Sequence, residues 1–302
     1  MDAVEDRVAA SAPSPRDGVA LVLCGGGARG AIEVGLYLAL EELGVPVTAV
    51  VGSSIGALNG AWIASGMPAA ALATYWRRLR RVDLAVLSWT SLLQGLAADG
   101  LLSARAFRRH LARTLPVRRF EELRIPLTVV ATDLMTGAPV EIRDGDLLDA
   151  VQASCAVPGL FPPVSWNGRQ LVDGGIANNL PVDVALRQGA GRVVGILCRC
   201  CPQLARPARG LVRIVSQAFS IAVDSAQHAQ LSPYRNDPRV LILAPEIAPE
   251  RHALEFGDAG PLIEHAHAYA RSKLQSWLTR PCPPAPEPGL PDAQPGGAAR
   301  AS

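Results

Sequence analysis

The sequence predicts an α/β fold of three layers, with a mostly parallel central sheet between helices. Three observations carry the prediction. Short continuous apolar runs of strand length alternate with longer stretches of helical period, the pattern of repeated βαβ units. The first two runs, Gly18 to Cys24 and Val47 to Val51, each break at a glycine-rich turn and feed directly into a helical segment. Of the 302 residues, 49% are hydrophobic and only 19% charged, so a sizeable core can be buried under one sheet.

Residues 1–17 are acidic, then Ala/Ser/Pro-rich, without the charged start and apolar centre of a signal peptide, and are expected to be disordered. Gly18 to Cys24 is a buried strand. It runs into Gly25-Gly26-Gly27-Ala28-Arg29-Gly30 and then a helix over Ala31 to Leu43, with Ile32, Leu36, Leu40 and Leu43 on one face and Gly44 as its stop. The strand Val47 to Val51 breaks at Gly52-Ser53-Ser54-Ile55-Gly56, and a small-residue helix follows over Ala57 to Ser65. Adjacent parallel strands place both turns at the same, carboxyl, edge of the sheet.

Residues 67–123 read as an irregular helical cap. Arg77, Arg78, Arg80, Arg81, Arg105, Arg108, Arg109 and Arg113 crowd it, with Asp83 and Asp99 opposing. An apolar stretch from Leu84 to Leu102 carries Trp89. Ser103 caps a helix that puts Phe107, Leu111 and Leu115 on one face and Arg105, Arg109 and Arg113 on another. Such a basic amphipathic helix suits an anionic membrane surface. The plainer reading is a cap helix with a solvated arginine face.

Ile125 to Thr132 is another buried strand, with Pro139 to Arg143 as a short partner after the Thr136-Gly137 turn. A helix over Gly145 to Ala156 ends at Val157-Pro158-Gly159. Val164 to Trp166 and Gln170 to Val172 form a hairpin across Asn167-Gly168, a strong two-residue turn signal. The hairpin ends at Asp173-Gly174-Gly175. A helix over Leu180 to Gln188 follows, with Pro181 near its start. Then come a strand (Arg192 to Cys198), a long helix (Leu211 to Leu231), a strand (Arg239 to Ala244) and a last helix (Pro261 to Leu278). Residues 18–280 make one domain, and the Pro/Ala/Gly-rich tail 281–302 is expected to be disordered.

The net charge of +2 singles out no partner and gives no basis for nucleic-acid binding. No apolar run is long enough to span a bilayer. Cys24, Cys155, Cys198, Cys200, Cys201 and Cys282 do not form a disulfide framework, which points to a reducing cytoplasm. Cys198-Arg199-Cys200-Cys201 lacks a second Cys/His pair at ligand spacing, so no metal is expected.

The chemistry lies in the turns. Gly52-x-Ser54-x-Gly56 between strand and helix is the spacing of a serine nucleophile on a strained bend. Gly52 and Gly56 leave room for that bend. The helix N-terminus beside Ser54 favours developing negative charge. Gly25-x-Gly27-x-x-Gly30 matches a dinucleotide fingerprint, but the second strand ends Val51-Gly52-Ser53 without the required acid. The remaining use of such a loop is an anion cradle of backbone N–H groups. None of His110, His228, His252, His265 and His267 sits in a turn after a buried strand, where a triad histidine is held. Asp173 does end an apolar strand. Its carboxylate is a candidate base for Ser54; the competing reading is an Asx-turn.

At these residues the sequence resembles the patatin-like phospholipases of bacterial type. Gly25 to Gly30 matches their oxyanion loop, Gly52 to Gly56 their nucleophile elbow, and Asp173-Gly174-Gly175 their D-G-[GA] motif. The flanks Pro158 to Pro163 and Ile176 to Pro181 agree as well, and the likeness spans Gly18 to Leu197. The resemblance implies a patatin-like α/β/α fold and a Ser-Asp dyad without histidine, Ser54 attacking and Asp173 serving as base. It implies an oxyanion loop of Gly25, Gly26 and Gly27 with Arg29 and Gly30, supported by Gly52, Gly56, Gly174 and Gly175. Arg29 either orients the loop or meets a substrate phosphate. The expected activity is acyl-ester hydrolysis on phospholipid or a similar lipid, of phospholipase A or lysophospholipase type, with no cofactor and no metal. A small-ester or thioester hydrolase, and a non-catalytic lipid-binding protein on the same fold, are the alternatives. Acyl chain, head group, sn-position and oligomeric state are not legible.

Overall fold

The apolar runs become strands and the periodic stretches become helices, with bounds within a few residues of the sequence expectation. The computed structural model describes residues 18–84, 86–88, 98–198, 207, 209–246, 256–257 and 259–280. The expectations for 1–17, 281–302, Trp89, His252, Cys200, Cys201 and Cys282 fall outside these residues.

The strands are β1 (Val19–Leu23), β2 (Val47–Ser53), β3 (Leu127–Asp133), β4 (Pro139–Ile142), β5 (Val164–Trp166), β6 (Arg169–Asp173), β7 (Val193–Ile196) and β8 (Val240–Leu243). They form one sheet whose hydrogen-bonded neighbours run β5-β6-β3-β2-β1-β7-β8, with β4 also paired to β3. The β1–β2, β1–β7, β2–β3 and β7–β8 pairs are parallel. The pairs β3–β4, β3–β6 and β5–β6 are antiparallel. Every residue of β1 and β3 is buried, as expected for strands covered on both faces.

The helices around the sheet are α1 (Ala31–Glu42), α2 (Ile55–Ala64), α6 (Leu147–Ser154), α7 (Val182–Arg187), α8 (Leu211–Leu231) and α9 (Gly260–Leu278). Between α2 and β3 lie α3 (Ala69–Arg78), α4 (Arg81–Leu84) and α5 (Ala104–Thr114). Right-handed crossovers put α1 and α2 on one face and α7 and α8 on the other, which gives three layers. Helix α9 returns to the first face and packs on α1. The two helices approach so closely that a Cβ on Gly35 would stand 2.5 Å from the Ile263 carbonyl oxygen. Helix α2 is buried at every position, which accounts for its lack of a polar face.

In this stretch, the Ser103 hydroxyl accepts the Ala106 N–H and caps α5. Phe107, Leu111 and Leu115 are buried, while Arg105, Arg109 and Arg113 are exposed. The arginine cluster has more acidic partners than the sequence alone suggests. Arg108 pairs with Asp146 at 3.1 Å and Asp149 at 2.6 Å, which docks α5 on the start of α6. Among the described residues, no helix is long and apolar enough to cross a membrane.

One pairing detail positions the site. Strand β4 occupies one edge of β3 along Val129–Thr132. The other edge is shared, β2 pairing along Leu127–Val130 and β6 along Ala131–Asp133 from the opposite direction. The ends of β2 and β6 therefore meet head-on. Ser53 stands opposite Val130 and Asp173 opposite Ala131, one residue further along β3.

Candidate active site

That head-on meeting brings Ser54 and Asp173 together across 119 residues of sequence. The Ser54 hydroxyl donates to Asp173 Oδ2 at 2.6 Å. Ser54 has φ 54 and ψ −123, a left-handed conformation rare for a residue with a side chain. The bend is held from several sides. A Cβ on Gly52 would stand 2.4 Å from the Gly56 carbonyl oxygen, and one on Gly56 would stand 2.4 Å from that of Leu23. Both glycines are thus required by backbone contact. The Ser54 carbonyl accepts the first N–H bonds of α2, from Ala57 and Leu58.

Two neighbours that the motifs do not reveal complete the support. Ser154, at the end of α6, accepts the Ser54 N–H at 2.8 Å and donates to the Val130 carbonyl at 2.6 Å. Cys155 places its Sγ 3.1 Å from the Ser54 carbonyl oxygen. The only sequence signal for either was position, just before the matched Pro158 flank.

Asp173 is buried. Its Oδ1 accepts the Gly175 N–H at 2.8 Å, so the Asx-turn and the contact with Ser54 coexist on one carboxylate. Burial pushes its pKa from the ordinary 3.8 to about 6, against the lowering effect of the Ser54 and Gly175 hydrogen bonds. A carboxyl with such a pKa is mostly ionised at neutral pH and is a stronger base than a surface aspartate. A Cβ on Gly174 would stand 2.0 Å from the Val130 carbonyl oxygen, which is why glycine follows Asp173.

The glycine loop lies beside the nucleophile. A Cβ on Gly25 would come 3.1 Å from Ser54 Cβ and 2.5 Å from Asn179 Oδ1. The Gly25 N–H donates to that Asn179 oxygen at 3.0 Å. Among the described residues, the Gly26 and Gly27 amides have no hydrogen-bond partner, and these two are the donors available to an oxyanion. Gly27 has φ 59. Arg29 and Gly30 are buried, so of the two roles considered for Arg29 its position fits orientation of the loop.

Among the four described histidines, none bonds to Ser54 or Asp173. His110 pairs with the Tyr75 hydroxyl, His267 with Glu42 at 2.6 Å and His228 with its own helix, while His265 is exposed. Ser54 opens into an apolar cavity of about 80 Å³, walled by Leu58, Leu102, Phe107, Leu160, Phe161 and Phe256. A larger cavity of about 620 Å³ lies at the β8 edge, beside Tyr234, Asp237 and Trp277. It shares no lining residue with the first, so the Ser54–Asp173 pair marks the smaller one as the candidate site.

A sheet of this order, with a serine on a strand-to-helix elbow, belongs to the class of α/β ester hydrolases. The chain is a member of the patatin-like phospholipase family, a family of lipid acyl hydrolases: its family model matches residues 21–186. Patatin-like phospholipase domain-containing protein 6 of Mus musculus is 37% identical over 185 residues, covering 59% of this chain and 13% of that protein. An uncharacterised NTE family protein of Mycobacterium bovis is 37% identical over 171 residues, covering 56% of this chain and 45% of that protein. The chain thus spans under half the length of these relatives. The structure of VipD from Legionella pneumophila aligns with a TM-score of 0.48 and 16% identity, over 86% of this chain and 67% of that one.

Proposed function

We propose that the chain is a serine acyl-ester hydrolase acting on lipids, of phospholipase A or lysophospholipase type, working through a Ser54–Asp173 dyad. The carrying observation is the 2.6 Å hydrogen bond from the strained Ser54 to a buried carboxylate with raised pKa. Asp173 takes the hydroxyl proton as Oγ attacks the ester carbonyl. The Gly26 and Gly27 amides donate to the tetrahedral oxyanion. The alcohol leaves with a proton returned by Asp173. Asp173 then draws a proton from water, which attacks the acyl-enzyme and frees the fatty acid and Ser54. The apolar walls of the cavity receive the acyl chain. No step uses a cofactor.

The hydrolase domain is residues 18–280, with 67–123 as cap. Exposed Val82, Val86, Leu87 and Leu101 accompany the arginine face of α5, which supports peripheral contact with an anionic membrane from the cytoplasmic side. The described cysteines, Cys24, Cys155 and Cys198, are buried and outside any disulfide, in keeping with a reducing compartment.

The small size of the cavity favours a second reading, a hydrolase of short esters or thioesters, since sites for larger ligands measure on the order of 300–1,000 Å³. A panel of p-nitrophenyl esters and phospholipids, run on wild type beside Ser54→Ala, separates the two. A fluorophosphonate probe should label wild type at Ser54 and not the variant. Absence of labelling on folded wild type overturns catalysis in favour of a lipid-binding role.

A further inference from the structure

Directly beneath the glycine loop lies a second cluster that ester hydrolysis does not use. Cys24 follows the last residue of β1, Glu33 is in the first turn of α1, and Cys198 lies just past β7. All three are buried, and one ligand-type atom from each lies within 4.8 Å of the other two. Cys198 Sγ stands 3.7 Å from Glu33 Oε1. The other carboxylate oxygen of Glu33 accepts the Asn59 side-chain N–H at 2.7 Å, and Asn59 in turn accepts the Trp76 indole N–H at 2.8 Å. The carboxylate orientation is thus fixed by a second layer, the arrangement that typically holds metal ligands in place.

We propose that Cys24, Glu33 and Cys198 form a seat for a thiophilic d10 cation, Zn²⁺ or Cu⁺. Metal–sulfur bonds of about 2.3 Å and metal–oxygen bonds of about 2.1 Å put such ligands about 3.6–4.0 Å apart at tetrahedral or trigonal angles. The Cys198–Glu33 spacing of 3.7 Å already has that value, and the remaining spacings are no more than 4.8 Å. Two sulfurs and one oxygen select a soft or borderline cation over Mg²⁺ or Ca²⁺. Binding displaces the thiol and carboxyl protons to solvent, with no change of oxidation state.

The three ligands come from the three elements that frame the glycine loop. Cys24 precedes Gly25 directly. A Cβ on Gly26 would stand 2.5 Å from Cys198 Cβ, so the loop rests on that residue. A cation there would tie the start of the loop, its floor and its outgoing helix together, and would stiffen the candidate oxyanion donors from below.

The test uses the full chain, reduced and stripped of metal, then titrated separately with Zn²⁺ and with Cu⁺ under anaerobic conditions. X-ray absorption of the loaded protein should count two sulfur ligands and one light ligand on a single ion, and the loaded protein should melt at a higher temperature. The Zn²⁺ and Cu⁺ arms decide which ion holds. Cys200→Ser/Cys201→Ser/Cys282→Ser and Cys155→Ser should bind as wild type does. Cys24→Ser/Cys198→Ser should lose binding. If that variant does not fold, the ligand count on wild type decides alone. No tight binding by either ion, a site without two sulfurs, or loss of binding in the Cys200/Cys201/Cys282 variant overturns the proposal.

Discussion

Replacing Asp173 with asparagine should abolish hydrolysis and, at neutral pH, make the protein more stable. The folded state holds the Asp173 proton up to about pH 6, whereas an exposed aspartate releases it near 3.8. Between these values the native state binds more protons than the unfolded chain, so stability falls as pH rises through the window. Above pH 6 the full penalty is present, and the gap corresponds to about 3 kcal/mol. Asparagine is neutral at every pH. Its Oδ1 can still accept the Gly175 N–H, and its amide can donate to Ser54 Oγ. Allowing for poorer geometry in those bonds, the variant should gain about 1–3 kcal/mol at pH 7.5. Near pH 4 the wild-type carboxyl is protonated in the fold and the advantage should shrink towards zero. Urea unfolding of both proteins at pH 4 and 7.5, beside an ester assay, measures the effect. A variant no more stable than wild type at pH 7.5, or an equal gap at both pH values, refutes the reasoning that burial dominates at Asp173.

Three further outcomes are expected. The value of kcat/KM should rise about tenfold per pH unit below a midpoint near 6 and level off above it, because in the proposed dyad only the ionised Asp173 accepts the serine proton; a pH-flat rate between 5 and 7 excludes Asp173 as base. Gly26→Ala drives a methyl group to 2.5 Å from Cys198 Cβ and displaces a candidate oxyanion donor, so kcat should fall by roughly 10²–10³ with little change in KM; unchanged kcat in a folded variant makes the loop structural only. Ser154→Ala leaves the Ser54 N–H without its acceptor and should cost about 1–3 kcal/mol in stability together with a drop in kcat, which Ser154→Thr should partly restore; equal activity in all three proteins removes Ser154 from the positioning of Ser54.

Most of the fold was legible because local and tertiary signals agree. The run at Val19–Leu23 is apolar throughout because the strand is covered on both faces, and Asn167-Gly168 fixes the β5–β6 hairpin locally. Ser54 and Asp173 were legible because strained turns demand glycines, and glycines leave a spacing in the sequence. Ser154 and Cys155 were not legible as parts of the site, and Asn179 was so only as one residue of the matched Ile176 to Pro181 flank. Each acts by tertiary placement alone: Ser154 looks like any residue closing a helix until β3 brings the Val130 carbonyl and the Ser54 N–H to it. The pairing of Arg108 with Asp146 and Asp149 escaped for the same reason, since its partners lie 38 and 41 residues away.

The site is assembled from features that each oppose folding. Ser54 sits in a backbone conformation that costs on the order of 1–3 kcal/mol. Asp173 is a carboxylate held out of water at neutral pH. Two strand ends meet head-on along one edge of β3, where a continuous strand would have paired without interruption. In the proposed mechanism these costs fall on one spot because it needs a hydroxyl and a base in contact, with a donor loop beside them. The surroundings offset them. Helix α2 is buried on every side, β3 is buried along its whole length, and backbone contacts at Gly52, Gly56 and Gly174 leave the elbow no room to relax. Strain held by such a rigid frame keeps Ser54 Oγ on Asp173 before any substrate arrives, so little reorganisation remains for the reaction itself.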